Sequence, residues 1–518
     1  MAHNIPITQD TASPYSESDV RFNYADPRQV IAASNFNDLS IGVVPQAQYY
    51  SSDHGNTWGQ TSLPVVSIDF FQCDPCVDWT SDGTAWAITI GINAFETSLI
   101  LRSYRSADGG KTWIYDSDVS GTQTGADRPS LWIDHSPDSP YKDYMYVTWH
   151  NGGAPAFISV RKGPGGIWST PFQLSGPETT FTSCGGDVKA NRRGDIFAIW
   201  PDAGGRNLWL RKSTNGGLTF DALGTHPVLI GTTFGSFRIY IPAQAIRGAA
   251  IYLSGGAWRT DTHDLVYACW ADLDGGSGCT APANQPGFNV LSPCKTRVWF
   301  AISRDGGATW QPPQKINDSF TLNDQFFARL TVDEANGHLM IVYYDTAADP
   351  GRLRADIWMQ HSRDHGKTWS NPARITTSGT NEAVGSDDHF NQFGDYIGLT
   401  SHDCRYFACW TDRRAGKFEQ IWGSHIHVAC LDEEGDFSKK DEYTGKVSGI
   451  LYDRFGDFDG FTLRTFDGEE HSFRGNEEEM GRLVYRAWEE RILITVVVAP
   501  HRRDWPVVLR YDKAAKSF

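Results

Sequence analysis

The residues with the most obvious chemical potential are acidic side chains that recur in a fixed eight-residue context. The context Ser-x-Asp-x-Gly-x-Thr-Trp occurs at 51–58, 106–113, 303–310 and 362–369, with a looser copy at 213–220. Repeated carboxylates could ligate calcium or act as general acids. One active site does not need five copies, however, and short polar side chains beside Gly are typical of tight turns. We therefore interpret the octets as structural turns.

The octet contains the parts of a hairpin turn that also anchors a sheet. Its Ser and Asp side chains can hydrogen-bond to nearby backbone groups, and its Gly can adopt the positive φ that other residues avoid. Its final aromatic residue can pack as an apolar anchor between neighbouring sheets. Self-similarity of this kind predicts an architecture built from repeated units.

A second repeat, offset from the octets, consists of short apolar runs that suit strands covered on both faces. Seven such runs occur, at 29–33, 85–90, 144–149, 195–200, 265–270, 339–344 and 406–410. Their spacing of roughly 50 to 75 residues is what a four-stranded blade with its loops occupies. Octets are missing after the third and seventh runs. The sequence predicts an all-β propeller of seven blades over 1–431, with six blades as the alternative.

The octets resemble the Asp boxes, or BNR repeats, of the sialidase-like β-propellers, and the resemblance covers roughly the first four-fifths of the chain. It implies that the boxes lie on the face away from the active site. It also implies a glycan-directed protein, such as an exo-glycosidase acting on a carboxylated sugar. Sialidases hold the substrate carboxylate with three arginines, attack with a Tyr that is paired with a Glu, and use an Asp as acid and base.

Transfer of these roles to matching loop positions gives a set of candidate site residues. The substrate-binding arginines would be Arg128, Arg238 and Arg329, since guanidinium groups match carboxylates in geometry. The catalytic residues would be Asp74 as acid and base, Tyr396 as nucleophile and Glu382 as its partner.

One departure from the sialidase pattern keeps a second function open. Sialidases carry Arg-Ile-Pro near the N-terminus, and no such triplet precedes the first octet here. A similar segment, Phe237-Arg238-Ile239, is interrupted before Pro242 and lies in the middle of the propeller. The alternative is therefore a non-catalytic propeller that binds a glycan or a protein partner, or a structural component of an assembly.

The composition changes after residue 431, where a charged stretch reads as a linker. Beyond it, 432–518 combines strand-like runs with one helix that an N-cap residue and an acid three positions later, 476–479, would open. This pattern predicts a small α+β or barrel-like domain. We interpret it as a possible interaction module for a protein partner, with a packing extension of the propeller as the alternative.

Charge and composition exclude several partner classes. The net charge of −16 disfavours nucleic acid and anionic membrane surfaces, and no apolar stretch is long enough to span a membrane. The start of the chain lacks a signal-peptide pattern, which leaves cytoplasmic location, non-classical export or a removed signal. Nine Cys include a C-x-x-C at 73–76 without a second matching pair, so we expect local disulfides or buried thiols, and neither a metal nor a cofactor.

Overall fold

The computed structural model describes residues 3–66, 68–152, 155–179, 185–220, 227–260, 262–280, 285–318, 320–382, 391–428, 441–454, 456–475, 478–498 and 506–511. The chain divides into two compact units, Met1–Val428 and Ala429–Phe518. The predicted boundary between 431 and 432 lies outside the described residues, as do Cys184 and the start of the predicted N-cap motif.

The first unit begins with a short strand, β1 (Asn4–Pro6), and continues into four-stranded antiparallel sheets. The first sheet contains β2 (Tyr15–Phe22), β3 (Val30–Phe36), β4 (Ala47–Ser51) and β5 (Gly59–Ser62), with a 3₁₀ turn at Leu39–Ile41. The second contains β6 (Asp69–Trp79), β7 (Ala85–Asn93), β8 (Leu99–Ser106) and β9 (Ile114–Asp118). The third contains β10 (Ala126–Ile133), β11 (Met145–Asn151), β12 (Ala156–Arg161) and β13 (Phe172–Gln173).

The second half of this unit repeats the pattern after one interruption. The fourth sheet contains β14 (Asp187–Ala190), β15 (Ile196–Asp202), β16 (Asn207–Ser213) and β17 (Val228–Thr232). A separate hairpin follows, β18 (Arg238–Ile241) and β19 (Gln244–Ala250). The fifth sheet contains β20 (Ser254–Arg259), β21 (Asp264–Leu273), β22 (Thr296–Ser303) and β23 (Gln314–Lys315). The sixth contains β24 (Gln325–Val332), β25 (Leu339–Asp345), β26 (Asp356–Ser362) and β27 (Ala373–Arg374).

The last sheet joins the two ends of the unit. It contains β28 (Gly398–His402), β29 (Arg405–Asp412) and β30 (Gln420–His427), and its fourth strand is β1. The first strands of the seven sheets found in the described part of this unit contact one another in chain order, and β28 contacts β2. The sheets thus form a closed ring, and the all-β propeller prediction is confirmed. The blade number was predicted as seven, with six as the alternative.

Each of the seven apolar runs forms the second strand of its sheet. From β7 to β29 these strands are buried almost throughout, because neighbouring sheets cover both of their faces. Six of the largest fully buried side chains are Trp residues, and Trp86, Trp149, Trp200, Trp270 and Trp410 lie on second strands. The apolar runs therefore form the core of the ring.

The octets lie at the turn that leaves the third strand of five sheets. In the first of them, the Ser51 hydroxyl accepts from Gly55 N at 2.9 Å, and Asp53 accepts from Thr57 N at 2.9 Å and from Thr57 Oγ1 at 2.6 Å. The final aromatic residue packs against the preceding sheet: the Trp58 ring centroid lies 5.6 Å from that of Phe407. The octets thus close the turns and join neighbouring sheets.

The second unit is a five-stranded antiparallel sheet with one helix. Its strands are β31 (Asp441–Tyr452), β32 (Phe458–Thr465), β33 (Glu470–Arg474), β34 (Leu493–Val498) and β35 (Pro506–Tyr511), in the order β33-β32-β31-β34-β35. The helix α1 (Glu478–Glu489) packs Val484 and Ala487 into the core of this sheet. No helix in the described part of the chain is long and apolar enough to cross a membrane.

The octets provide a test of their own hydrogen bonds, because one copy carries Asn in place of Asp. Asp305 accepts from Ser303 Oγ, Thr309 N and Thr309 Oγ1, at 2.6 to 2.8 Å. Asn215 keeps the same partners by donating to Thr219 Oγ1 at 2.7 Å. We expect Asp305→Ala to lower the free energy of unfolding by about 1–2 kcal/mol and Asp305→Asn by less than about 0.5 kcal/mol, measured by denaturant titration. Equal losses in the two variants would contradict this role.

Candidate functional site

The first strands of several sheets break register at one place, and a residue with positive φ lies at each break. These residues are Glu17 (φ 57°), Asp74 (φ 56°), Arg128 (φ 54°) and Phe327 (φ 52°). A left-handed conformation costs a residue with a Cβ about 1–2 kcal/mol, and such strain concentrates at functional sites. Three of the four are ionisable, so the strain accompanies charge.

The residues two positions beyond the breaks line one small cavity where the first strands meet. They are Asp19, Cys76, Ser130 and Arg329, and Tyr396 lines the same cavity. Arg128 and Tyr396 also line an adjoining cavity with Tyr252 and Asp395. Each of these cavities is only about large enough for one water molecule. The strained positions therefore surround a narrow polar site at the middle of the ring.

Arg128 is a buried cation with few polar partners. Its guanidinium carbon lies 3.7 Å from the ring centroid of Tyr396 and 4.6 Å from that of Tyr252, so the group is sandwiched between two aromatic faces. Among the described residues, the Nε atom has no hydrogen-bond partner, and Nη1 makes only a 3.5 Å contact with the Pro129 carbonyl. A guanidinium has five donors, and burying them unpaired is costly. This group is therefore prepared to receive an acceptor from a ligand.

Tyr396 has a buried hydroxyl group with no hydrogen-bond partner among the described residues. Burial raises the pKa of its phenol, and the carboxylates of Asp74 and Glu17 raise it further, while Arg128 lowers it. The phenol is thus neutral at rest, and only a base acting during a reaction would generate the oxyanion.

Glu17 and Asp74, two acidic residues of neighbouring sheets, are linked through one amide. Asn35 Nδ2 donates to Glu17 Oε2 at 2.7 Å, and its Oδ1 accepts from Asp74 N at 2.8 Å. Burial raises the pKa of Asp74 well above its ordinary value, with further increases from Glu17 and Asp127. Burial also raises the pKa of Glu17, against the opposing effect of Arg247. Both groups are consequently more basic than ordinary carboxylates.

A cation from the β18–β19 hairpin completes the site, and sequence reasoning did not identify it. Arg247 Nη2 donates to Glu17 Oε1 at 3.0 Å and to Asp395 Oδ2 at 2.9 Å, while its Nε donates to Asp395 Oδ1 at 2.9 Å. Burial would raise the pKa of Asp395, but Arg247 outweighs it and the pKa is lowered. Asp395 therefore stays ionised beside two carboxyl groups that are protonated more readily.

The structure brings together most of the residues that the resemblance assigned to the site. Asp74, Arg128, Arg329 and Tyr396 surround or adjoin the two cavities. Arg238 lies at the edge of the site, 39% exposed, where its Nη1 donates to the Arg247 carbonyl at 2.9 Å and lies 4.0 Å from Asp395 Oδ1.

Glu382 is placed in another environment. Its Oε1 accepts from Thr380 Oγ1 at 2.6 Å, and burial together with Glu419 raises its pKa. The charged neighbours that act on Tyr396 are Asp74, Glu17 and Arg128 instead. Asp74 and Glu17 are thus the carboxyl groups that act on the pKa of Tyr396, and Glu382 is not among them.

Two signals in the sequence point to the missed residues. Glu17 lies three positions before an apolar residue of its strand, as Asp74 and Arg128 do, and this spacing recurs in the first strands of three successive sheets. Arg247 lies in the hairpin that lengthens the interval between the fourth and fifth apolar runs. In the described part of the chain, no group of three or more His, Cys, Asp or Glu side chains could hold a metal ion.

Comparisons with known proteins concern the fold. No family model matches the sequence, and no curated protein matches it either. Among solved structures, the chain is similar to a protein of unknown function from Dyadobacter fermentans at 13% identity, covering 82% of this chain and 98% of that one, with a TM-score of 0.44. It is also similar to an α-L-arabinofuranosidase from Fusarium graminearum at 12% identity, covering 68% of this chain and 91% of that one, with a TM-score of 0.42. A Hadza microbial sialidase is similar at 16% identity, covering 66% of each chain, with a TM-score of 0.41. Neither activity is transferred to this chain by likeness at that level.

Proposed function

We propose that this chain is a glycan-directed enzyme, a sialidase-like glycoside hydrolase that acts on a sugar carrying a carboxylate. One observation carries the proposal. The buried Arg128 guanidinium stacks on the ring of Tyr396, near the Asp74 carboxyl group, and among the described residues both the Arg128 Nε and the Tyr396 hydroxyl lack hydrogen-bond partners. Each of these groups loses hydrogen bonds to water on folding and recovers too few from the protein. A ligand with an anionic group and an electrophilic carbon would satisfy both.

In this proposal the three groups divide the reaction. Arg128 holds the sugar carboxylate, with Arg238 and Arg329 adding positive charge from the edge and the floor of the site. Tyr396 Oη forms a bond to the anomeric carbon as the glycosidic C–O bond breaks, and Glu17 takes the phenolic proton. Asp74 gives its proton to the leaving oxygen. Water then attacks the anomeric carbon as its bond to Tyr396 Oη breaks. Asp74 takes a proton from that water, and Glu17 returns its proton to the Tyr396 phenolate.

The electrostatic arrangement supports these roles. A general acid must hold its proton near neutral pH, and burial with neighbouring carboxylates raises the pKa of Asp74 in that direction. A carboxylate that receives a proton must be basic, and the pKa of Glu17 is raised as well. Arg247 and Asp395 form a bidentate ion pair beside them, which positions Glu17.

One observation favours the alternative of a non-catalytic binding site. The Glu17 carboxylate already accepts from Asn35 and Arg247, so part of its capacity to take a proton is used in the resting state. The same site would then bind an anionic sugar through Arg128 without turnover. A protein partner for the second unit stays a separate prediction.

Replacement of the Tyr396 hydroxyl separates catalysis from stability. We expect Tyr396→Phe to lower kcat by at least about 10³-fold on a sialoside or another carboxylated glycoside that the wild type cleaves. The thermal midpoint should stay equal or rise, because the hydroxyl is buried without a partner and its loss relieves a desolvation cost. Tyr146→Phe is the matched control, since its hydroxyl is also buried and unpartnered but lies in the third sheet, away from the site.

Two results would contradict the enzymatic proposal. Retention of wild-type kcat in Tyr396→Phe would remove the tyrosine from the reaction. Binding of N-acetylneuraminic acid that depends on Arg128, without turnover of any glycoside in a broad panel, would support the binding alternative.

The pH dependence of the reaction follows from the raised pKa of Asp74. Since the protonated form is the active one, kcat/KM should fall as the pH rises through the pKa of this group. Asp127 is one of the charges that raise this pKa, so Asp127→Asn should move the basic limb of the profile to lower pH. Asp138→Asn, a substitution at an exposed ion pair with Arg192, should leave the limb in place. An unmoved limb in Asp127→Asn would exclude Asp74 as its origin.

A further inference from the structure

A groove of about 860 Å³ lies next to the site and has no part in the chemistry described above. Its apolar lining includes Pro14, Phe70, Phe71, Ile92 and Phe418. Phe71 and Ile92 are cross-strand partners in β6 and β7, so they form one wall. Large exposed apolar surfaces of this kind mark ligand grooves or interfaces.

Exposed apolar side chains extend this surface beyond the groove. Phe95 is 84% exposed and lies between two lining residues, Ala94 and Glu96. Val43 and Ile68 are about half exposed, and the neighbouring backbone of Val44 donates to the Phe70 carbonyl at 2.8 Å. The groove therefore opens onto an apolar margin.

Two asparagines that line the groove are hydrogen-bonded to residues in or next to the site. Asn391 lines the groove, and its Oδ1 accepts from Arg247 Nη1 at 2.9 Å, on the guanidinium that also bonds to Glu17. Asn37 lines the groove as well, and its Nδ2 donates to Ser16 Oγ at 2.9 Å, one residue before Glu17. A ligand in the site would thus extend into the groove past these amides.

The position of the general acid decides which part of the substrate enters. Asp74 and the two phenylalanines Phe70 and Phe71 lie on the same strand, β6. The group that accepts the proton of Asp74 is the leaving group, so the leaving group lies on the side of this strand. The lining also includes polar side chains, Asp38, Asn93 and Glu96 among them, but most of its accessible area is apolar. Phe, Pro and Ile offer no hydrogen bonds to sugar hydroxyls, whereas an alkyl chain needs none.

We propose that the groove binds an aliphatic aglycone, which makes alkyl glycosides of the glycolipid type the substrate class. This inference rests on the proposed function for the identity of the leaving group. Each CH₂ group that is buried lowers Kd by about fourfold, so a chain of several carbons would bind measurably even with part of it exposed.

The test compares the n-octyl α-glycoside of N-acetylneuraminic acid, below its critical micelle concentration, with the methyl α-glycoside by titration calorimetry on the full chain. We expect the octyl compound to bind at least about tenfold more tightly. Ala94→Asp should remove this difference, because Ala94 is an exposed lining residue and the new carboxylate would lie in the groove. Ala308→Asp is the matched control, the same substitution at an exposed octet position, and should keep the difference.

Several results would overturn the proposal. Equal binding of the octyl and methyl compounds, or equal losses in the two variants, would show that the groove does not take an alkyl chain. A dimer in sedimentation that Ala94→Asp dissociates would show that a second copy occupies the groove. Turnover without chain-length dependence would refute the groove and leave the function intact. Chain-length-dependent binding without turnover of any glycoside would refute the function and leave the groove as a binding site.

Discussion

The pairing of β1 with β30 closes the ring, and the site depends on that closure. Ile5 lies opposite Gly423 in this ladder, and Ile7 N donates to the Ile421 carbonyl at 2.8 Å. The pairing fixes the first and last sheets against each other, and the site spans this junction. Glu17 belongs to the first sheet and Asp395 immediately precedes the last, yet both bind Arg247 from a hairpin in between. An open ring would separate these groups.

The meeting of the first strands places charges where water is scarce, so most of them must be paired. Arg21 Nη1 lies 3.2 Å from Asp19 Oδ1, and Lys189 Nζ lies 2.6 Å from Asp187 Oδ1. Across the ring, His135 bridges Asp78 and Glu334; burial lowers its pKa, but these two carboxylates raise it to about 10. The Nε of Arg128 and the hydroxyl of Tyr396 differ from these paired charges, because among the described residues neither has a hydrogen-bond partner and both groups line the cavities at the site.

Local sequence predicted the parts of the fold that local physics decides. The octets were recognisable because their hydrogen bonds lie within eight residues, and the second strands because burial on both faces leaves an uninterrupted apolar run. Asp74 and Arg128 were assigned through the resemblance, and each precedes a Pro within a first strand. These features need no knowledge of how the ring closes.

The partners across the ring could not be read in the same way. Arg247 is 230 positions from Glu17 and 148 from Asp395, and no periodicity in the chain encodes those contacts. The choice of Glu382 followed from the resemblance, whereas its environment beside Thr380 and Glu419 depends on tertiary packing. Sequence patterns indicate which face of a strand a residue lies on and where turns form. The closed tertiary structure determines which acidic side chains contact one another's partners in the site.

The strained backbone connects stability with function in this molecule. Glu17, Asp74 and Arg128 adopt positive φ at equivalent steps of three adjacent sheets, where Gly would be tolerated more easily, as Gly394 is before the last sheet. Retaining long ionisable side chains at those steps keeps charge at the centre of the ring at a conformational cost. The fold stays stable despite this strain because every first strand pairs with a second strand that is buried almost throughout. The site is consequently built on strands, which limits its movement and favours a preorganised arrangement over an induced one.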